Sequence, residues 1–155
     1  MTKRAMLLEA LASTPADVCR LLRPLAAGQL GAPSDRALAE IMLRLIQTEI
    51  DFQTAIGVNA DGSARVFTVE ALVGQVTVPM TALCEQFRLD RDRTLVLLDR
   101  LTPAEWQRKV HPLRSTATTV RLYAQKLVES DIKLTSRLVE LVQASRRAPD
   151  GEQAP

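Results

Sequence analysis

Aromatic residues are scarce in this chain: three Phe, one Tyr and one Trp, together 3%. Strands draw on aromatic and β-branched side chains, so the shortage argues against a sheet protein. Histidine occurs once and cysteine twice. A single histidine cannot build a centre that needs several imidazoles, and Cys19 and Cys84 give neither a disulfide framework nor a zinc spacing. Both cysteines lie among apolar residues in helical patterns and read as small buried hydrophobes. There is no glycine-rich phosphate loop and no Cys-x-x-Cys. No window nears the ~18 apolar residues of a membrane span. Glu9 cuts short the apolar run after Lys3 and Arg4, so a signal peptide is not expected either. The chain is expected in the cytoplasm, with no membrane partner. Excess charge is also missing: 20 basic against 18 acidic residues leave a net +2. The basic residues are spread along the chain, so no nucleic-acid partner is expected.

What is present is leucine and alanine in helical spacing. The 155 residues, 46% hydrophobic and 25% charged, are one domain's worth. That domain is predicted over 1–144, with a disordered tail over 145–155. Residues 3–12 suggest a short helical piece, after which Ser13 or Thr14 caps a new helix with Pro15 in its first turn. Its apolar face is Val18, Leu21, Leu22 and Leu25, and Gly28, Gly31 and Pro33 mark the following loop. Ser34 or Asp35 caps a second helix with the stripe Leu38, Met42, Leu45, Glu49, Phe52, Ile56. Gly57 and the turn Asn59–Gly62 end it, and a loop with one helical turn near 69–75 follows. Pro79 sits near the start of a third helix, with the stripe Met80, Cys84, Phe87, Arg91, Thr94, Leu98, Leu101. Thr102-Pro103-Ala104-Glu105 reads as a capping box that opens a short helix ending before His111. The last helix carries Val120, Ala124, Leu127, Asp131, Leu134, Leu138 and Leu141. Long helices are thus predicted near 14–25, 35–56, 78–101 and 117–144, with essentially no sheet. The fold predicted is all-α: a four-helix bundle with a long crossing between the second and third helices.

The stretch Leu101-Thr-Pro-Ala-Glu-Trp106 through His111-Pro112, then Thr119 to Ala124, resembles the DinB-like four-helix bundle family. So does Ala37 to Glu49 on the second helix, and the likeness spans about 8–142. The resemblance implies kinship with thiol-dependent metalloenzymes whose metal is held by three histidines. One stands on the second helix and two, spaced i and i+4, on the last. The matching positions here are Arg44, Ser130 and Leu134. None is a histidine, so the resemblance is to a member whose metal site has degenerated, and neither metal nor other cofactor is expected. It also implies a homodimer, to which generous apolar helix surface contributes.

Polar residues on the stripes are the remaining chemistry. Glu49 and Asp131 could act as a carboxylate pair, but ion pairs with Arg44, Arg91 or Lys126 inside the bundle fit better. Arg44 or Arg91 is therefore predicted to pair with Glu49 or Asp131 and fill the vacated site. Trp106 and His111 are candidates for a pocket mouth; Trp106 as a plug for one end of the core is the plainer reading. Ser130 has no histidine placed beside it for nucleophilic work. Arg88, Arg91, Arg93 and Arg100 alternate with Asp90, Asp92 and Asp99, the pattern of a solvated helix face. The expected function is a non-catalytic binding or interaction protein with a possible small-molecule ligand. The alternative is a transferase or isomerase that uses Glu49, Asp131 or Arg44.

Overall fold

The computed structural model describes residues 2–29, 36–57, 79–112 and 115–147. Its elements are α1 (Lys3–Gln29), α2 (Arg36–Ala55), α3 (Met80–Arg100), the short α4 (Pro103–Trp106), β1 (Lys109–Val110), β2 (Thr118–Thr119) and α5 (Val120–Arg147). The fold is an all-α helical bundle. α1 packs on α3 and α5, and α2 packs on the same two helices. The caps expected at Ser34 or Asp35, the turn at 59–62, the helical turn near 69–75 and the tail from 148 lie outside the described residues; residues 145–147, expected in the tail, continue the last helix.

Two apolar clusters fill the bundle. One gathers Val18 and Leu22 of α1, Leu38 to Ile46 of α2, Leu83 and Phe87 of α3, and Leu138 and Val142 of α5. The other gathers Leu11, Phe52, Ile56, Leu98, Trp106, Val120 and Leu127. Following each chain from cluster to cluster gives its direction. α1 and α5 run from the second cluster to the first; α2 and α3 run the other way. Neighbours that run the same way cannot be joined by a tight turn, which is the arrangement a long crossing serves.

Helix ends follow local chemistry. Gly57 takes φ +84°, a left-handed conformation that suits glycine and stops α2. The capping box before α4 is formed: Glu105 N–H donates to Thr102 Oγ1 at 3.2 Å, and Thr102 N–H donates to Glu105 Oε1 at 3.1 Å. α5 starts at Val120 rather than near 117, because Thr119 Oγ1 accepts from Leu122 N–H at 3.2 Å as a cap. Just before it comes an unpredicted antiparallel pair, Lys109 opposite Thr119 and Val110 opposite Thr118. Two-residue strands carry no periodic signal, so the sequence does not announce them.

The largest correction is α1. The sequence suggested a break at Ser13–Pro15, yet one helix runs from Lys3 to Gln29. A proline inside a helix leaves the carbonyl four residues back without its donor. That carbonyl belongs to Leu11, and Arg91 Nη1 donates to it at 2.8 Å. Ser13 and Thr14 do not cap; the Ser13 hydroxyl donates back to Ala10 O at 2.9 Å, and Thr14 Oγ1 lies 3.3 Å from the same oxygen. An interior proline costs ~3 kcal/mol or more in an unsupported helix. Here the donor has been replaced, so Pro15→Ala should gain less than about 1 kcal/mol in denaturant unfolding. In an Arg91→Met background the gain should be clearly larger. Equal gains in the two backgrounds would show that Arg91 does not support this turn.

Candidate functional site

Each long helix places a polar side chain where the two apolar clusters meet. These are Thr14 on α1, Glu49 on α2, Arg91 on α3 and Asp131 on α5. Glu49 and Arg91 are 0% exposed and Asp131 is 4% exposed. An arginine without water must find every partner within the protein. Arg91 lays its fork on Asp131, with Nη1 to Oδ2 at 2.7 Å and Nη2 to Oδ1 at 2.8 Å. Its Nε and Nη2 reach Glu49 Oε1, and Nη1 also holds the Leu11 carbonyl. The Phe87 ring lies 5.1 Å from the guanidinium carbon and closes one face of the group.

Two hydroxyls complete the carboxylates. Thr14 donates to Asp131 Oδ2 at 2.9 Å, and Thr94 Oγ1 lies 2.6 Å from Glu49 Oε2. Gln53 Nε2 donates to Thr94 Oγ1 at 3.0 Å and to the Asp90 carbonyl at 2.8 Å. Thr94 Oγ1 also lies 3.2 Å from that carbonyl. The Thr94 hydroxyl therefore has two satisfied states. It donates to an ionised Glu49, or it accepts from a protonated one and donates to Asp90 O.

One guanidinium faces two carboxylates, so the buried group is formally one negative charge in excess. Burial pushes the Glu49 carboxyl above its ordinary value of 4.5, and the pull of Arg91 and Thr94 does not cancel it. Burial works against the Arg91 charge as well, but Asp131 and Glu49 outweigh it and hold its pKa above the ordinary value. The sign of the Glu49 effect is definite. The folded state binds this proton more tightly than the unfolded chain does. Its contribution is present below about pH 4.5 and is lost as pH rises towards the folded-state value. Wild type should therefore lose ground against Glu49→Gln as pH increases above that point, measured by paired denaturant titrations. A wild-type advantage that grows with pH would reverse the assignment.

The other candidates are not brought to this group. Arg44 is exposed on α2 and Lys126 is exposed on α5, so neither enters the polar interior as the sequence reading allowed. Ser130 is half-buried, and Leu134 packs against the first apolar cluster. An exposed cation, a hydroxyl and a hydrocarbon make no metal donor set, so the residues do not fit the ion that the family resemblance implies. Among the described residues no three His, Cys, Asp or Glu side chains converge as metal ligands. Trp106 is buried in the second cluster, with the Arg4 guanidinium carbon 5.0 Å from its ring centre. His111 is exposed and borders a different shallow groove, with Asp51, Thr54 and Arg108. The two do not share a pocket mouth.

The alternating charges on α3 are only partly a solvated face. Arg88 pairs with Glu85 and Asp92 at the surface, whereas Asp90 is buried and accepts from Gln86 Nε2 at 3.0 Å. Thr14, Gln53 and the Leu11 carbonyl were not anticipated as parts of the polar group. Thr14 does stand between Leu11 and Val18 on the inward side of α1, a signal available only once the helix is read as unbroken.

Comparison with protein-family models, with curated proteins and with solved structures gave no match for this chain. Among the described residues no helix is long and apolar enough to cross a membrane. Fold and site together define a helical bundle whose core is divided by a buried arginine–dicarboxylate group.

Proposed function

We propose that this chain is a non-catalytic interaction protein of the DinB-like type, and that its partner is a second copy of itself. The observation that carries the first half is the saturation of Arg91: fully buried, it is held by Glu49, Asp131 and the Leu11 carbonyl at once. A group so engaged fixes helix register rather than meeting a substrate. The second half rests on the outer face of α1 and α5. Ile132 is 61% and Met6 58% exposed. Ile132 borders a groove of about 320 Å³ between the two helices, shared with Ala10, Ser13, Val128 and Val139. Its lining carries two carboxylates, Asp17 and Asp131, and each is already paired within the chain, with Arg20 and Arg91, which softens repulsion from a like surface. A two-fold dimer needs one self-complementary patch, and a projecting isoleucine beside a groove of small residues supplies both halves.

Light scattering should give the mass of a dimer for the wild type and of a monomer for Ile132→Lys, with the thermal midpoint of the fold otherwise kept. A monomeric wild type would remove the self-association reading. A second reading, a transferase or isomerase, draws on one observation: Thr14 and Asp131 also line this groove. A metabolite that raises the melting temperature of wild type but not of Asp131→Asn would favour it, since only native-state ligands stabilise.

A further inference from the structure

The two cysteines are far apart in sequence, yet the packing of α1 on α3 brings them together. The register of these antiparallel helices is fixed at two points. Arg4 Nη2 donates to Leu98 O at 2.6 Å, and Arg91 Nη1 donates to Leu11 O at 2.8 Å. From Arg4 to Leu11 is seven residues along α1, and from Leu98 to Arg91 is seven back along α3. A step of seven returns to nearly the same face of a helix. Seven more back from Arg91 is Cys84, on the face of α3 that meets α1. Eight on from Leu11 is Cys19, within one residue of that level. That register sets the two thiols at one level of the α1–α3 interface, near enough for Cys19 to act on the Cys84 thiol. Both are free and only half-buried, so small reagents can reach them. Cys84 leans into the first apolar cluster, whereas Cys19 is not part of it.

We propose that Cys19 and Cys84 form a reversible disulfide between α1 and α3, closed by a hydroperoxide and reopened by a small thiol reductant. The sulfur of Cys19 attacks the peroxide O–O bond. A Cys19 sulfenic acid forms and the second oxygen leaves as water or an alcohol. The sulfur of Cys84 then attacks the sulfenic sulfur; the S–S bond forms, the S–O bond breaks, and the departing hydroxide takes the Cys84 proton as water. The Cys19 proton leaves with the first departing oxygen, so two thiols and one hydroperoxide give one disulfide, one alcohol and one water, or two waters from hydrogen peroxide. The roles follow from surroundings. Burial, then the neighbouring Cys19, pushes the Cys84 thiol up to about 12, so Cys84 is the less able of the two to supply the thiolate that attacks the peroxide. Reduction by thiol exchange through a mixed disulfide restores both cysteines. The closed form ties together the two helices that carry Leu11 and Arg91, and it encloses the whole of α2 in the loop.

The test uses the full chain and hydrogen peroxide. Intact mass under denaturing, non-reducing conditions should fall by two hydrogens, both titratable thiols should vanish, and the species should remain a single chain. Dithiothreitol should reverse each change. A cross-link closing a loop of this length should raise the thermal midpoint by on the order of 10 °C. In Cys84→Ser, dimedone should label Cys19 after peroxide treatment. Stepwise addition of oxygen to wild type with no loss of hydrogen would overturn the proposal. So would disulfide-linked pairs of chains in place of the internal bond. Label failing to appear on Cys19 would overturn its role as the attacking sulfur.

Discussion

Arg91→Met is expected to destabilise the protein by on the order of 3–5 kcal/mol, the cost of breaking a buried ion pair from one side. Methionine fills much of the arginine's volume and its packing against Phe87, so the loss reports charge rather than a cavity. Three things fail together. Glu49 and Asp131 face each other without a cation, and the Leu11 carbonyl, already deprived by Pro15, loses its replacement donor. Glu49 responds by keeping its proton. Burial raises Glu49 even with Arg91 in place, so its removal extends that direction. Such groups stabilise below the ordinary carboxylate range, and the contribution disappears as pH rises. The penalty should therefore be smallest in acid and grow towards neutral pH. Replacing all three charges, as Glu49→Met with Arg91→Met and Asp131→Leu, should recover most of the stability, because a hydrophobic isostere of a buried ion group is often neutral or better. Recovery should stay incomplete until Pro15→Ala returns a donor to Leu11, an unpaired buried carbonyl being worth about 1–3 kcal/mol. Denaturant unfolding of this series across pH checks each step. A loss that does not depend on pH would show that the two carboxylates do not drive it.

How far this was legible in the sequence depends on where each signal is carried. Glu49, Arg91 and Asp131 each interrupt an apolar stripe of helical period, and period is a local property that needs no partner to be read. The ends of α2 and α4 were legible for the same reason, through Gly57 and the Thr102 box. The course of α1 was not. Ser13, Thr14 and Pro15 are the residues that start helices, and what keeps this helix whole is an arginine 80 residues away from Leu11. Nothing local announces that compensation. Arg44 was drawn inward by the family resemblance, although it stands off its own stripe, and the helix leaves it in water. Asp90 was hidden the opposite way: its neighbours alternate in sign like a solvated face, while its position beside Arg91 turns it inside. The cysteine pairing needed the register of α1 on α3, which is tertiary information. The short pairing of β1 with β2 is too brief to leave a pattern.

Asp131→Ala is expected to cost on the order of 3 kcal/mol, towards the lower part of the range for a broken buried pair. Asp131 accepts three hydrogen bonds, two from Arg91 and one from Thr14, and bonds to a charged donor are worth about 1.5–3 kcal/mol each. Two facts hold the loss down. Glu49 still neutralises Arg91, and the removal takes away the group's excess negative charge. Water can also enter from the α1–α5 groove that Asp131 lines and serve the freed guanidinium. Asp131→Asn should do little better. It keeps the shape, but an amide presents N–H where one guanidinium nitrogen needs an acceptor, and the fork cannot close. The decisive comparison is the cycle with Arg91→Met. If the two side chains act as one unit, the double variant should cost less than the sum of the singles by about 1–3 kcal/mol. An open, hydrated pocket kept for a ligand gives the opposite pattern. Asp131→Ala would then be nearly neutral, its coupling to Arg91 near zero, and its only effect the loss of ligand-induced stabilisation. Urea unfolding of the wild type, both singles and the double distinguishes them, because a side chain only 6% exposed cannot be both well hydrated and bonded three times within the protein.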